Sequence, residues 1–443
     1  MKESYIAAIE IGSSKITGAV GYFTADGILQ VLALEQEQSR DSVRYGIIQN
    51  PEEAATRVMR IIDRLNSHPA ISPRKITGVY VGLSGRSMRS IPSDVNITFP
   101  EEVEITGEML QRLREDAATI PLPPNHEILS IVARSYHIDG LETSSPKGAM
   151  GKSISAVFDI IIGRTELKRN ILRALSERLD IEIRGMMITQ LAASEIVLSD
   201  EEKRLGCMLV DFGAETTAVS IYRKGALCYF ATLPLGGRNI TRDLTTLSIL
   251  EEKAEEIKRE SGRAVAPETP STLNVSGIKL SDVSNLVVAR AEEIVANVVQ
   301  QIAYAGLKEK DLPGGIVCIG DGAHLTGILE LLSNISGLNA RLFVQPSFIQ
   351  PMEPRFKRHD AIECAALLYA GALTEEEDCL QLTTVEEDYD YDNSYISEQQ
   401  QNVYEEEEYE ERKPGRVGRF FSKLSSGFSN MFANTSDEDS ELD

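Results

Sequence analysis

Apolar positions cluster into short runs broken by glycine turns, and two of these runs share one plan. Residues 5–23, YIAAIEIGSSKITGAVGYF, read as an apolar strand, a tight turn at Gly12-Ser13-Ser14 and a second strand. Residues 206–225, GCMLVDFGAETTAVSIYRKG, repeat it: an apolar strand, Asp211, Gly213, then Thr216 and Thr217 leading into another strand. A single hairpin of this kind occurs in many folds and serves structure alone. Two of them, about 200 residues apart in a chain with βαβ-like segments, indicate a duplicated domain with a cleft between its halves.

Three further segments add chemistry to that pattern. LPLGGRNITRDL (233–244) puts Gly236 and Gly237 at a helix start, a place that favours an anion. KAEEIKRESGRAV (253–265) sets Glu255 and Lys258 one turn apart on a helix. IVCIGDGAHLTGILELL (316–332) runs from a strand through Gly320 and Gly322 into a helix, a turn that admits a nucleobase or phosphate edge. Glycine lets backbone N–H groups approach phosphate oxygens, hydroxyls add hydrogen bonds, Lys15 supplies a compact cation, and Asp211 is suited to hydrated Mg²⁺.

The far end of the chain has a different periodicity. At about 100° per residue on a helix, Val417, Phe420, Phe421, Leu424, Phe428, Met431 and Phe432 fall within roughly 120° of arc. Arg416, Arg419 and Lys423 flank that stripe, and serines cover most of the rest. A helix docked on the protein core has this pattern too, but residues 375–411 carry 16 Asp and Glu and no Lys or Arg. Such a stretch buries too little apolar area to order itself, so the helix is expected to hang on an acidic leash. Polar interruptions exclude a membrane span. Two readings remain, an interfacial helix on an anionic membrane and a helix in a partner's groove; aromatic residues beside basic ones favour the membrane.

Composition changes the picture in one respect. The formal charge is −23 over 443 residues, yet residues 1–374 hold 47 acidic and 40 basic side chains, so the body is mildly acidic. No basic field suggests nucleic acid. The five cysteines lack metal or redox spacing, which makes a reducing cytosol the default. The opening MKESYIAAIEIGSSK does not read as a secretory signal, because Glu10 interrupts its short apolar run.

The joint order of these motifs resembles the actin and Hsp70-like ATPase superfamily over residues 8–18, 189–198, 209–217, 316–327 and 360–372. Within it, the stretch IPLPPNHEILSIVARSYHIDGLETSSPKGAMGKSISAVFDIIIG (120–163) is similar to the signature of the FtsA family of bacterial division proteins, and the amphipathic end is a feature of that family. The resemblance covers residues 3–374. It implies an α/β fold, the actin-like, ribonuclease H-like duplicated ATPase, with subdomain 1A at 1–78, 164–205 and 357–374. Subdomain 1C would be 79–163, 2A would be 206–235 and 312–356, and 2B the mostly helical 236–311. A disordered acidic linker at 375–411 and an amphipathic membrane-targeting tail at 412–443 would follow.

The same resemblance implies ATP with Mg²⁺ in the cleft. Gly12, Ser13, Ser14 and Lys15 would hold the phosphates from one side, and Gly213, Thr216 and Thr217 from the other, with Gly236 and Gly237 beside them. Glu10 and Asp211 would serve the metal through water, Glu255 and Lys258 would face ribose and base, and Gly320, Gly322 and Ala323 would line the adenosine pocket. Two departures from the family pattern matter. Relatives usually have Asp where this chain has Glu10, which is one methylene longer. The residue that orients attacking water, Glu or Gln in hydrolytic relatives, aligns with Thr189, with Gln190 next to it; these two are the candidate catalytic residues, and threonine is a poor base. Tight ATP binding with slow or negligible hydrolysis is therefore expected, the nucleotide acting as an assembly switch.

As implied partners the resemblance gives the FtsZ C-terminal tail at subdomain 2B, where Arg290 matches a basic family position, later divisome proteins at 1C, and further copies of the chain in a filament. The anionic membrane surface would be held by Val417, Arg419, Phe420, Phe421, Lys423, Leu424, Phe428, Met431 and Phe432, on the cytoplasmic side at the division site. By square-root scaling the leash would reach about 30 to 35 Å. Rival readings are a sugar or acyl kinase of the same superfamily, which would need an Asp base that the sequence does not single out, and a chaperone ATPase, which would need a substrate domain after residue 374. PilM- and MreB-like scaffolds are the nearer alternatives.

Overall fold

Tyr5–Ile11 runs antiparallel to Lys15–Phe23, which runs antiparallel to Leu29–Gln38. Gly78–Leu83 and then Glu182–Ile188 extend this meander in parallel, and Ile349–Pro351 closes its other edge, giving a six-stranded sheet. The second half repeats the arrangement. Cys207–Phe212, Thr217–Arg223 and Ala226–Leu233 form the meander, extended in parallel by Ile316–Ile319 and Ala340–Leu342. The computed structural model that shows this describes residues 4–24, 26–266, 274, 275, 277–351, 361–374 and 378–382. The expected duplicated actin-like plan is present in strand order, direction and connection.

Burial explains why these runs pair as they do. All six residues of Gly78–Leu83 are buried, as strands covered on both faces must be. On one face, helix Pro51–Asn66 starts with Pro51 at its first position and the Asn50 side chain accepting from the Glu52 and Glu53 N–H groups. Its Ala54, Ala55, Val58, Ile61, Ile62 and Leu65 recur at helical spacing and are buried. Helix Ile362–Ala372 covers Tyr5–Ile11 and packs beside helix Thr189–Val197. In the second half, helices Gly237–Thr245, Glu251–Ser261, Leu280–Tyr304 and Ile328–Ser336 share a separate core with Met208, Val210 and Ile316.

The insert is an antiparallel sheet of Arg89–Glu104, Met150–Arg164, His126–Ile138 and Leu141–Thr143, covered by helix Gly107–Ala117. It has its own core, in which Ile105, Leu113, Phe158, Ile160 and Ile162 are buried. At its base it joins the second sheet. Arg89 pairs with Ala231, the Phe230 N–H donates to Ser90 Oγ at 2.9 Å, and Arg134 clasps both oxygens of buried Asp159 while donating to the Cys228 carbonyl at 2.7 Å. The two sheets thereby become one nine-stranded sheet.

Two boundaries differ from the sequence reading. Gly78–Leu83 belongs to the first sheet, so the insert starts after it and not at residue 79: its unbroken apolar run fits a buried parallel strand. The acidic linker, expected to be without order from residue 375, contains Leu380–Leu382 paired antiparallel with Arg74–Ile76. Cys379 and Leu380 are buried there and offset their acidic neighbourhood locally. The rest of the linker from residue 383, and the whole stretch 412–443 with Val417, Arg419, Phe420, Phe421, Lys423, Leu424, Phe428, Met431 and Phe432, lie outside the described residues.

The Arg134–Asp159 clasp generates a stability prediction. Asp159 is fully buried, so Arg134→Ala leaves a carboxylate without its cation, and a destabilisation of about 3 kcal/mol is expected by thermal and urea unfolding. A loss below about 0.5 kcal/mol, the size of an ordinary surface substitution, would show that the clasp is dispensable.

Candidate functional site

The first turn is closed by the Gly12 N–H donating to Lys15 O at 3.0 Å. A Cβ on Gly12 would meet that oxygen at 2.9 Å and Glu10 Oε1 at 3.2 Å, so the position must stay small. From the side, Ser39 Oγ donates to Gly12 O at 2.5 Å, the Ser39 N–H donates to Ser14 O at 2.9 Å, and the Gly46 N–H donates to buried Ser13 Oγ at 2.7 Å. The N–H groups of Ser13 and Ser14 have no acceptor among the described residues.

The second turn repeats this construction, with the Gly213 N–H donating to Thr216 O at 2.9 Å. The Ala214 and Glu215 N–H groups likewise lack acceptors among the described residues. The Glu215 side chain turns back into the protein, 1% exposed, where Arg44, Arg238 and Arg242 lie 3.0, 3.2 and 2.8 Å from Oε1. The Tyr45 N–H donates to Oε2 at 2.7 Å. Burial works to raise the pKa of this carboxyl, but the Tyr45 hydrogen bond and the charges of Arg238 and Arg44 outweigh it and hold it below the ordinary value.

Between the turns lie the carboxylates. Lys15 Nζ reaches Asp321 Oδ2 at 3.1 Å across the cleft. Glu10 and Asp211 keep some solvent-accessible surface, yet the surrounding protein is dense enough for desolvation to dominate. It lifts Glu10 to about 8, Lys15 opposing and Asp211 and Asp321 adding, and lifts Asp211 to about 7, with Asp321 adding and Lys15 opposing. Glu363, at the start of helix Ile362–Ala372, is also pushed well up by burial and then by the charges of Asp211 and Glu10.

Around this centre several glycines lie against neighbouring backbone. Gly320 has φ +83°, and a Cβ there would collide with Asp211 Oδ1 and lie 2.6 Å from Phe212 O. A Cβ on Gly322 would come within 2.9 Å of Phe212 O. The backbone of Gly236 presses on the carbonyls of Gly213 and Ala214, and the Gly237 N–H donates to Gly213 O at 3.0 Å. Lys258 Nζ donates to Gly237 O at 3.1 Å, to Thr241 Oγ1 at 2.9 Å and to Glu255 Oε2 at 2.7 Å.

Some candidate residues are engaged elsewhere. Thr217 is fully buried and donates to Leu235 O at 2.8 Å, so its hydroxyl fastens the hairpin. Ala323 is packed in the second core. Thr189 and Gln190 are both 4% exposed. Gln190 Nε2 donates to Leu209 O and Ser220 Oγ, each at 3.1 Å, while its Oε1 and Thr189 Oγ1 are buried without partners. Arg290 chelates Asp243 at 2.6 and 3.1 Å and pairs with Glu293. Sequence reasoning missed Glu363, Asp321 and Glu215. Asp321 sits between two flagged glycines, and Glu363 is the lone acid opening an apolar helix; Glu215 lay within the quoted second turn and gave no signal beyond that.

Two family descriptions match this chain, "Cell division protein FtsA" at residues 208–357 and "SHS2 domain inserted in FTSA" at 85–162. The cell division protein FtsA of Porphyromonas gingivalis is 31% identical over 75% of this chain and 71% of its own. The chain belongs to the FtsA family. FtsA of Bacillus subtilis is 28% identical over 80% of this chain and 81% of its own, and that of Escherichia coli 25% over 76% and 83%. Among solved structures, the PilM–PilN type IV pilus biogenesis complex superposes with a TM-score of 0.57 at 16% identity, covering 83% of this chain and 97% of that one, a likeness of fold. The SHS2 match coincides with the insert, and its start at residue 85 agrees with the strand boundary found here.

In this FtsA-family site the donor set fits a nucleotide with a hydrated divalent cation. The turns present N–H groups without acceptors, and desolvated carboxylates share one lysine. Among the described residues no three His, Cys, Asp or Glu side chains are placed to enclose a metal ion.

The raised carboxyls also set a pH dependence. A carboxyl whose folded pKa exceeds its unfolded one stabilises fully below the unfolded value and loses that contribution as pH rises through the folded value. For Glu10 the window runs from about 4.5 to about 8. Ligand-free protein should therefore lose thermal stability between pH 6 and pH 9, and Glu10→Gln should flatten that decline. Equal slopes for both proteins would mean that Glu10 is ionised throughout.

Proposed function

We propose that this FtsA-family cell-division protein binds ATP with Mg²⁺ and, when loaded, polymerises on the inner face of the cytoplasmic membrane. There it anchors FtsZ filaments and helps recruit later division proteins. One observation supports the nucleotide site above others: two glycine turns with unsatisfied N–H groups face each other across carboxylates that share Lys15. The cation would neutralise phosphate charge. Ser13, Ser14 and Lys15 would hold phosphates from one side, and Gly213 and Thr216 from the other. Glu255 and Lys258, linked to Gly237, would position the sugar side, and Gly320 and Gly322 would leave room for the adenosine.

Attachment follows from weak anchors acting together. One interfacial helix of the size of 417–432 binds a bilayer reversibly. Subunits stacked in a filament present many such helices at high effective concentration, which makes collective attachment durable while single subunits exchange. No helix among the described residues is long and apolar enough to cross a membrane. On this reading Arg290 serves an acidic FtsZ peptide by surrendering Asp243, and the insert offers the surface for later partners and neighbouring subunits.

Lys15→Ala should weaken ATP binding at least about tenfold, read by titration with a fluorescent ATP analogue, because one charge-assisted phosphate contact is lost. Unchanged affinity would place the nucleotide elsewhere. Deleting residues 412–443 should abolish co-sedimentation with anionic liposomes while leaving ATP affinity intact; retained sedimentation would end the tether model.

A further inference from the structure

A second basic site lies behind the first turn. The end of strand Leu29–Gln38, the turn at Arg40–Ser42 and the first half of helix Pro51–Asn66 enclose a cavity of about 390 Å³, toward the small end of ligand sites. Arg40, Arg57 and Arg60 line it together with Glu37 and Glu53. The two carboxylates are already committed, Glu37 to Arg64 at 2.6 Å and Glu53 to Arg57. Arg40 and Arg60 have no carboxylate partner among the described residues. Arg57 is 8% exposed; its Nη1 donates to Gln38 O at 2.7 Å, but its Nε is buried without an acceptor.

The backbone supports a ligand role here. Arg40 has φ +47°, a left-handed conformation that costs a non-glycine residue roughly 1–2 kcal/mol and that holds this side chain at the cavity. Neighbouring Ser39 carries two of the hydrogen bonds to the first turn, and Gln38 pairs with Lys15. What Arg40 grips is therefore one residue away from the contacts that shape Gly12–Ser14.

We propose that this cavity binds a small phosphate-bearing anion of about pyrophosphate size between Arg40 and Arg60. Guanidinium groups pair with phosphoryl oxygens two at a time, and no carboxylate among the described residues occupies Arg40 or Arg60. The site is separate from the cleft, since none of its lining residues belongs to either glycine turn.

Inorganic pyrophosphate, titrated calorimetrically into the full-length chain without divalent cations, is the probe. Lys15→Ala is the background, so that phosphate contacts in the cleft are weakened. In that background saturable binding should persist, and adding Arg40→Gln with Arg60→Gln should weaken it by about tenfold or more. Both arginines are exposed, so the fold should survive, and unchanged thermal unfolding of the ligand-free variants checks this. Absence of saturable binding in the Lys15→Ala protein, or equal affinity after the arginine changes, would overturn the proposal.

Discussion

The buried carboxylate of Glu215 is the constraint around which the site is assembled. A carboxylate with 1% exposure must be fully satisfied or it will not ionise, and here the satisfying groups come from both halves of the chain. Arg44 and the Tyr45 N–H belong to the first half, Arg238 and Arg242 to the first helix of the second half, and Glu215 to the second turn. Separating the halves takes Arg44 and the Tyr45 N–H away from this charge, so the interaction favours the closed relation of the two turns. Three guanidiniums on one carboxylate also leave a surplus of positive charge beside the turn. Asp41 and Glu251 offset it from exposed positions where water and salt screen them.

Inside the cleft acidic side chains outnumber basic ones. Glu10, Asp211, Glu363 and Asp321 gather around Lys15, and desolvation drives the first three toward their neutral forms. Positive charge at the wall and a floor of carboxyls that desolvation keeps protonated until a cation arrives describe a place for a ligand that brings anionic phosphates and a cation together. The insert adds rigidity: because its sheet is continuous with the second one, the second meander is held at its far edge through Arg89, Ser90 and Arg134.

The duplicated plan was legible because glycine turns between apolar runs are local features, and both meanders pair with sequence neighbours. Gly12, Gly213, Gly236 and Gly320 stood out for the same reason, and each must stay small to let backbone approach backbone. Other features depend on contacts at long range. Glu215 meets Tyr45 from 170 residues away, and Lys15 meets Asp321 from 306 away. No periodicity encodes such pairs. The strand at Leu380–Leu382 escaped notice because acidic composition hid the single buried pair, Cys379 and Leu380, that fixes it.

Gln190 shows how the fold bears on turnover. Its helix belongs to the first half, yet its amide nitrogen bonds to Leu209 and Ser220, which are a cross-strand pair of the second half. Turning that side chain toward the cleft would break both hydrogen bonds inside a seam with almost no solvent. Each lost bond leaves a buried polar group unsatisfied at about 1–3 kcal/mol. Thr189 offers a hydroxyl that is already without a partner, but a neutral alcohol is a poor base, and Gly82 must stay small to accommodate it. The cheapest arrangement of this seam is therefore one that holds the two halves together, and chemistry at Gln190 competes directly with that cohesion.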